Sequence, residues 1–191
     1  AILIFSACSN VPKPSTTEIV TKKPTLSDYE IGEKWTWKWK RTTEGKTRGE
    51  GEAYQEVVKF KNSLGFSRNG TDTTLIANEI NNNRGTSYLR WPLKVGKKWV
   101  FDEDWESYDG TKGHTKQEAE VVSFEELTVA AGKFMAYKVL LKGRMTNERG
   151  FDGKTIDIWW YAPAIRKYVK HTQDDGAGLY VKELINYSSV Q

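Results

Sequence analysis

Cysteine is almost missing from this sequence: there is one in 191 residues, at position 8. An internal disulfide is therefore impossible, and the fold has to be held by a buried core. With two histidines beside that single cysteine, a zinc site rich in His or Cys is excluded as well. Proline is scarce, at five residues, and together with sixteen glycines it punctuates short segments rather than marking a disordered chain. The apolar run at the start is eight residues long, far below the roughly 20 that a bilayer-crossing helix needs. No block of one charge sign occurs. The 29 basic and 25 acidic residues are interspersed and leave a formal charge of +4, which argues against a nucleic-acid partner. There is no G-x-S-x-G nucleophile motif, and the phosphate-loop signature is represented only by Gly45-Lys46-Thr47.

Aromatic residues, by contrast, are abundant: eight Trp, nine Tyr and seven Phe. They sit in strand patterns led by glycine. After Gly96, Trp99, Phe101 and Trp105 alternate with Lys98, Val100 and Asp104, and after Gly32, Trp35, Trp37 and Trp39 alternate with Lys34, Thr36, Lys38 and Lys40. A third copy of the design follows Gly132, with Met135, Tyr137, Val139 and Leu141 on one face. This spacing predicts an all-β fold of about eleven strands of five to eleven residues, an antiparallel meander forming a strongly curved sheet, half-barrel or β-sandwich/barrel. Strands are expected over 33–44, 51–60, 66–68, 71–76, 86–91, 96–104, 114–124, 134–144, 155–161, 165–173 and 179–187. Asn69-Gly70 marks a turn, and a slip in alternation near 124–129 marks a bulge. The three consecutive asparagines Asn81-Asn82-Asn83 argue against a helix in 74–84. Trp35, Trp99 and Trp160 are expected in the core, with Lys34, Lys38 and Lys40 in solvent behind the first aromatic row.

The N-terminus carries the most specific signal. Ala1-Ile-Leu-Ile-Phe-Ser-Ala-Cys8 is followed by a polar, proline-bearing stretch, Ser9-Asn-Val-Pro-Lys-Pro-Ser-Thr-Thr-Glu18. Phe5-Ser6-Ala7-Cys8 resembles the bacterial lipoprotein signal, with Phe5 where leucine is more usual. The resemblance implies cleavage before Cys8 and acylation of Cys8, and Ser9 in place of Asp matches the pattern sorted to the outer membrane. It divides the chain into a residual signal tail (1–7), a lipidated Cys with a flexible tether (8–28) and a single all-β domain (29–191). The segment from Trp91 to Tyr187 resembles a family of uncharacterised bacterial periplasmic and lipoprotein β domains. The resemblance is carried by Pro92-Leu-Lys-Val-Gly-Lys-Lys-Trp99, Gly132-Lys-Phe-Met-Ala-Tyr-Lys-Val139 and Trp160-Tyr-Ala-Pro-Ala-Ile-Arg-Lys-Tyr-Val169. It implies a half-barrel similar to lipoprotein carriers and identifies no catalytic residue. Glycine usually follows the Ala-Pro pair in that family; here Ala164 and Arg166 stand in that stretch.

Candidate chemistry is thin. Asp102, Asp104 and Glu106 share a strand face that suits a hard cation, but the calcium-loop glycine and glutamate are replaced by Ser107 and Gly113. A glycosidase pair among Glu56, Asp104 and Asp157 requires a carboxylate separation of about 5 Å or about 6.5–9.5 Å. Asp157, between Ile156 and Ile158, is the acid most worth inspecting, and His114 and His171 lie at strand ends. No catalytic residue, metal or cofactor is expected. The reading is a non-catalytic envelope lipoprotein domain that binds an envelope protein or other envelope component. A carrier or sensor of an apolar or lipid ligand is the alternative, and a carbohydrate-binding or hydrolysing module a second one. Exposed tryptophans along a groove favour the last; a large cavity favours the carrier.

Overall fold

The computed structural model describes residues 20–81, 88–107 and 109–189. The lipidation candidate Cys8, and with it residues 1–19, lies outside the described residues. Ten strands follow in order: β1 (Lys34–Thr43), β2 (Lys46–Phe60), β3 (Ser63–Arg68), β4 (Asp72–Leu75), β5 (Lys98–Glu106), β6 (Lys112–Val129), β7 (Gly132–Asn147), β8 (Asp152–Ala162), β9 (Lys167–Asp174) and β10 (Leu179–Ser188). One helical turn, α1 (Ile76–Ile80), follows β4, and short 3₁₀ turns cover Leu26–Asp28 and Pro163–Ile165.

All ten strands form a single antiparallel sheet in the order β4-β3-β2-β1-β10-β9-β8-β7-β6-β5. The sheet is open, with β4 and β5 at its two edges, and it is not strongly curled. This corrects the expected strongly curved half-barrel, sandwich or barrel. Alternation predicts which residues share a face, but not which strands pair. Here β10 returns to pair with β1, from Lys34 opposite Ser188 to Thr42 opposite Leu179, and splices the N-terminal strands onto the C-terminal ones. The sheet face is therefore covered by α1, residues 88–97 and the N-terminal segment, rather than by a second sheet or by closure. Thr21 and Leu93 exchange backbone hydrogen bonds at 2.9 Å within that cover.

Local chemistry accounts for most boundaries. Asn69 and Gly70 both take positive φ, 52° and 73°, as the tight turn between β3 and β4 requires. The β1–β2 turn falls on Glu44-Gly45, both with positive φ. The bulge sits at Val122, between Val121 and Ser123, rather than in the expected 124–129, which pair regularly with β7, so β6 and β7 are single strands of 18 and 16 residues. Two expectations fail. Residues 88–91 are bent rather than extended in a strand, with a cis Trp91–Pro92 bond after them, while 86 and 87 lie outside the described residues. A helix does form inside 74–84, because Ile76 is wholly buried and the turn ends at Ile80, before the run that starts at Asn81, with Asn78 its one asparagine.

The core divides into two clusters. Trp35, Trp37, Phe66, Ile76 and Tyr29 pack together with Leu184, Val169 and Trp160. Trp99, Tyr137, Val139, Leu141 and Tyr161 pack with Leu89 and Leu93. Trp35, Trp99 and Trp160 are thus all buried, as the alternation predicts, whereas Met135 is exposed. On the opposite side, Lys38 and Lys40 face solvent and Lys34 is half-exposed beside Glu56.

Candidate functional site

Between the sheet and its cover lies a cavity of about 1510 Å³ that opens to solvent. Ligand pockets usually measure ~300–1,000 Å³, so this is ample space for a small molecule. Its floor comes from five adjoining strands. Ala53 and Gln55 stand on β2, Trp37 on β1, Lys182 on β10, Lys167 and Tyr168 on β9, and Trp159 and Tyr161 on β8. Its wall comes from α1 and from 88–91 with Trp99. The small side chain of Ala53, opposite Trp37 in the ladder, keeps the middle of the floor low.

The lining is aromatic and cationic. Ten aromatic residues line the cavity against two large aliphatic ones, Ile80 and Leu89, and six basic residues against one acid, Glu79. The aromatic rings brace one another: Trp37 stacks on Tyr168 at 5.1 Å, and Trp159 lies between Tyr88 at 4.2 Å and His171 at 3.5 Å. Glu79 is heavily shared. It accepts from Arg68, from Thr74 Oγ1 at 3.2 Å and from Gln55 Nε2 at 3.4 Å, and it lies 3.7 Å from Lys167 Nζ. Lys167 is nearly buried, its ammonium 3.6 Å from the centre of the Phe66 ring. Burial pushes its pKa down to about 8 against the pull of Glu79. Lys182 sits over the Trp37 and Tyr168 rings, and burial followed by the Arg68 charge lowers its pKa too.

Arg166 closes one end with a left-handed backbone, φ 54°, a conformation glycine takes more readily. Its side chain accounts for the arginine: the guanidinium pairs with buried Glu33 and lies over the Tyr29 ring at 5.2 Å. Glu33 also accepts from Tyr187 Oη at 2.7 Å.

No family model matches the chain, and neither does any curated protein sequence. The arrangement of strands does match a solved structure. A candidate lipoprotein from Parabacteroides distasonis superposes with a TM-score of 0.53 at 11% identity, covering 88% of this chain and 99% of that one. The two proteins share a fold. A candidate exported protein with a YmcC-like fold from Bacteroides fragilis gives 0.46 at 13% identity, over 90% and 100% of the two chains. The hypothetical lipoprotein YmcC of Escherichia coli gives 0.42 at 11% identity, over 86% and 88%.

The acids singled out in the sequence are not brought together. Glu56 on β2, Asp157 on β8 and Asp104 on β5 stand four and three strands apart, ~19 Å and ~14 Å at the usual strand spacing, too far for a glycosidase pair. Asp102 and Asp104 are bridged by His114, at 3.2 and 2.8 Å, and Asp102 also meets Lys116 at 3.0 Å. Among the described residues no cluster of three or more His, Cys, Asp or Glu is placed to hold a metal ion. Asp157 is buried and saturated. One carboxylate oxygen accepts from His171 Nε2 and Gln173 Nε2, both at 3.0 Å; the other accepts from Gln117 Nε2 at 2.7 Å and Thr155 Oγ1 at 3.3 Å. Four donors fill the lone pairs of a carboxylate, leaving it no capacity to act as a base. No described tryptophan is among the exposed large hydrophobic residues, which removes the main support for a glycan platform.

The residues that do converge, Arg68, Lys167 and Lys182, were not legible as a site. A faint signal exists: Lys182 alternates with Tyr180 and Leu184, and Arg68 with Phe66 and Leu64, so each cation stands on an otherwise apolar face. Lys167 stands beyond a bulge at Val169, where plain alternation no longer holds, and lines the cavity together with Tyr168.

Proposed function

We propose that the chain is a non-enzymatic, lipid-anchored domain of the bacterial cell envelope that holds a small molecule between its sheet and the α1 wall, as a carrier or sensor. The observation that carries this reading is the cavity of about 1510 Å³, lined by braced aromatic rings rather than filled by core side chains. An open cleft of this size lined by aromatic rings with a few polar and charged groups has the make-up of a small-molecule site. The docking of an envelope protein has less support. Of the two sheet edges, β4 is four residues long, and β5 carries Lys98, Asp102, Glu103, Asp104 and Glu106, charges that discourage strand addition. Cations of the opposite face are matched by acids on neighbouring strands, as in Lys34–Glu56, Lys98–Glu120 and Lys170–Glu183, so that face offers no grip for a polyanion.

The test is native mass spectrometry of protein purified without detergent. A one-to-one small-molecule adduct is expected, and Ala53→Phe, which fills the floor, should abolish it. Adduct-free protein whose melting temperature rises with no fraction of an envelope small-molecule extract overturns the reading.

Placement in the envelope is supported by Phe5-Ser6-Ala7-Cys8, and the fold shared with the Parabacteroides protein agrees with it. On this reading Cys8 is acylated, with a second chain needed for a stable anchor, since one alone holds reversibly. Cell fractionation should find wild type with membranes and Cys8→Ser in the soluble periplasmic fraction. Membrane retention of the variant, with an unmodified Cys8 mass in the wild type, contradicts the anchor.

A further inference from the structure

We infer that the cavity takes an amphiphilic anion, its carboxylate or phosphate head held among Arg68, Lys167 and Lys182 and its apolar body lying toward Trp159 and Tyr161. This rests on the reading of the cavity as a small-molecule site and adds the charge and orientation of the ligand.

Three observations lead to it. The first is imbalance. On the opposite face, lysines meet carboxylates across neighbouring strands, but inside the cavity Arg68 and Lys167 share the single carboxylate of Glu79, already bonded to Thr74 and Gln55. Lys182 has no carboxylate within salt-bridge distance among the described residues, and its ammonium rests on aromatic rings alone. The second is proximity. Although the three cations stand on β3, β9 and β10, Arg68 and Lys167 reach the same Glu79 carboxylate, and Lys182 lies over the ring of Tyr168, the residue next to Lys167. Lys167 is largely withdrawn from water while Arg68 stays exposed, and their like charges repel one another in the empty protein. An oxyanion there would gain charge-assisted hydrogen bonds from these donors. The third is polarity along the cavity. The cations gather toward the first core cluster, beside Phe66 and Trp37. The other end, near Tyr88, Leu89, Trp99, Trp159 and Tyr161, is built on the second cluster and is mostly aromatic and aliphatic, with Arg90 as the cation beside it. An inorganic ion would use one end alone; an amphiphile matches both.

The test uses the full chain carrying Cys8→Ser, so that neither an acyl group nor detergent competes. Two dyes with the same rings are compared by fluorescence titration: 8-anilinonaphthalene-1-sulfonate, whose sulfonate stands in for the head, and N-phenyl-1-naphthylamine, which lacks it. The sulfonate dye is expected to bind one-to-one and at least about tenfold more tightly. Lys182→Met, which leaves no acid orphaned, and Lys167→Met should each weaken it about tenfold while leaving the neutral dye within about twofold. Millimolar inorganic phosphate should displace neither dye. Equal affinity for both dyes, unchanged in the lysine variants, overturns the anion inference and leaves the small-molecule reading standing. Displacement of the sulfonate dye by phosphate alone replaces the amphiphile with a free oxyanion and overturns the inference. Failure of both dyes to bind counts against the cavity as a small-molecule site.

Discussion

Trp35→Ala is expected to be the most destabilising truncation in the aromatic row. Trp35 is wholly buried, its indole N–H donates to the Ile165 carbonyl at 3.0 Å, and its ring packs against Phe66, Tyr29 and Tyr187. Removing it empties the centre of the first core cluster and leaves a buried carbonyl without its donor. Truncations of this kind cost about 3–5 kcal/mol, a large share of a typical total of about 5–15 kcal/mol. For a chain of this size the melting temperature should fall by roughly 10 °C or more. Trp39→Ala is the internal control. It lies two positions from Trp37 on the same face but is only half-buried, over Gly49 and Gly51 and stacked on Tyr180, so its loss should be clearly smaller. Thermal unfolding of both variants decides it; Trp35→Ala melting within about 2 °C of wild type would contradict this account of the core.

Asp157→Ala is expected to match it by a different route. Its carboxylate takes bonds from Gln117, Thr155, His171 and Gln173, and alanine would strand several of those donors away from water. Breaking a buried charged network from one side costs about 3–5 kcal/mol, and Asp157→Asn, which keeps the shape and one acceptor, should recover part of it. The network also carries a pH signature. Burial lowers the pKa of His171, opposed by its hydrogen bond to Asp157. Folded His171 therefore binds a proton less readily than the unfolded chain. Stability is full above the unfolded value of about 6.5 and is lost as pH falls from there toward the folded one. Urea denaturation at pH 7.5 and pH 5.5 should show that fall in wild type and a flatter profile in His171→Gln. An Asp157→Ala protein as stable as wild type at pH 7.5 would mean the node is solvated and carries no structural weight.

The burial of Trp35, Trp99 and Trp160 was readable from period-two alternation, because a strand can bury one face only by placing apolar residues at every second position. The Asn69-Gly70 turn was readable because few residue pairs accept positive φ twice, whereas the bulge in β6 was placed a few residues too late, because the alternation there is too soft to fix where the extra residue stands. The α1 turn was not, since the burial of Ile76, which favours one helical turn ending before the Asn81 run, is a tertiary fact. Asp157 stood out in sequence as an acid between isoleucines, but its role as a saturated acceptor depends on Gln117 from β6 and on His171 and Gln173 from β9, contributed by strands on either side of its own in the chain.

Sequence by itself determined the all-β class, the aromatic core positions and the solvated lysines, because these follow from alternation and turn chemistry within a few residues. Tertiary structure alone decided that the strands form one open sheet, through the pairing of β1 with β10, and that a cavity remains between that sheet and its cover. It also decided that Arg68, Lys167 and Lys182 meet there, although they lie on three strands and about a hundred residues separate the first from the other two. The reason is physical: local preferences act over one or two turns of chain, whereas strand order and the convergence of distant charges are set by which long-range pairings bury the most surface for the loop entropy they cost.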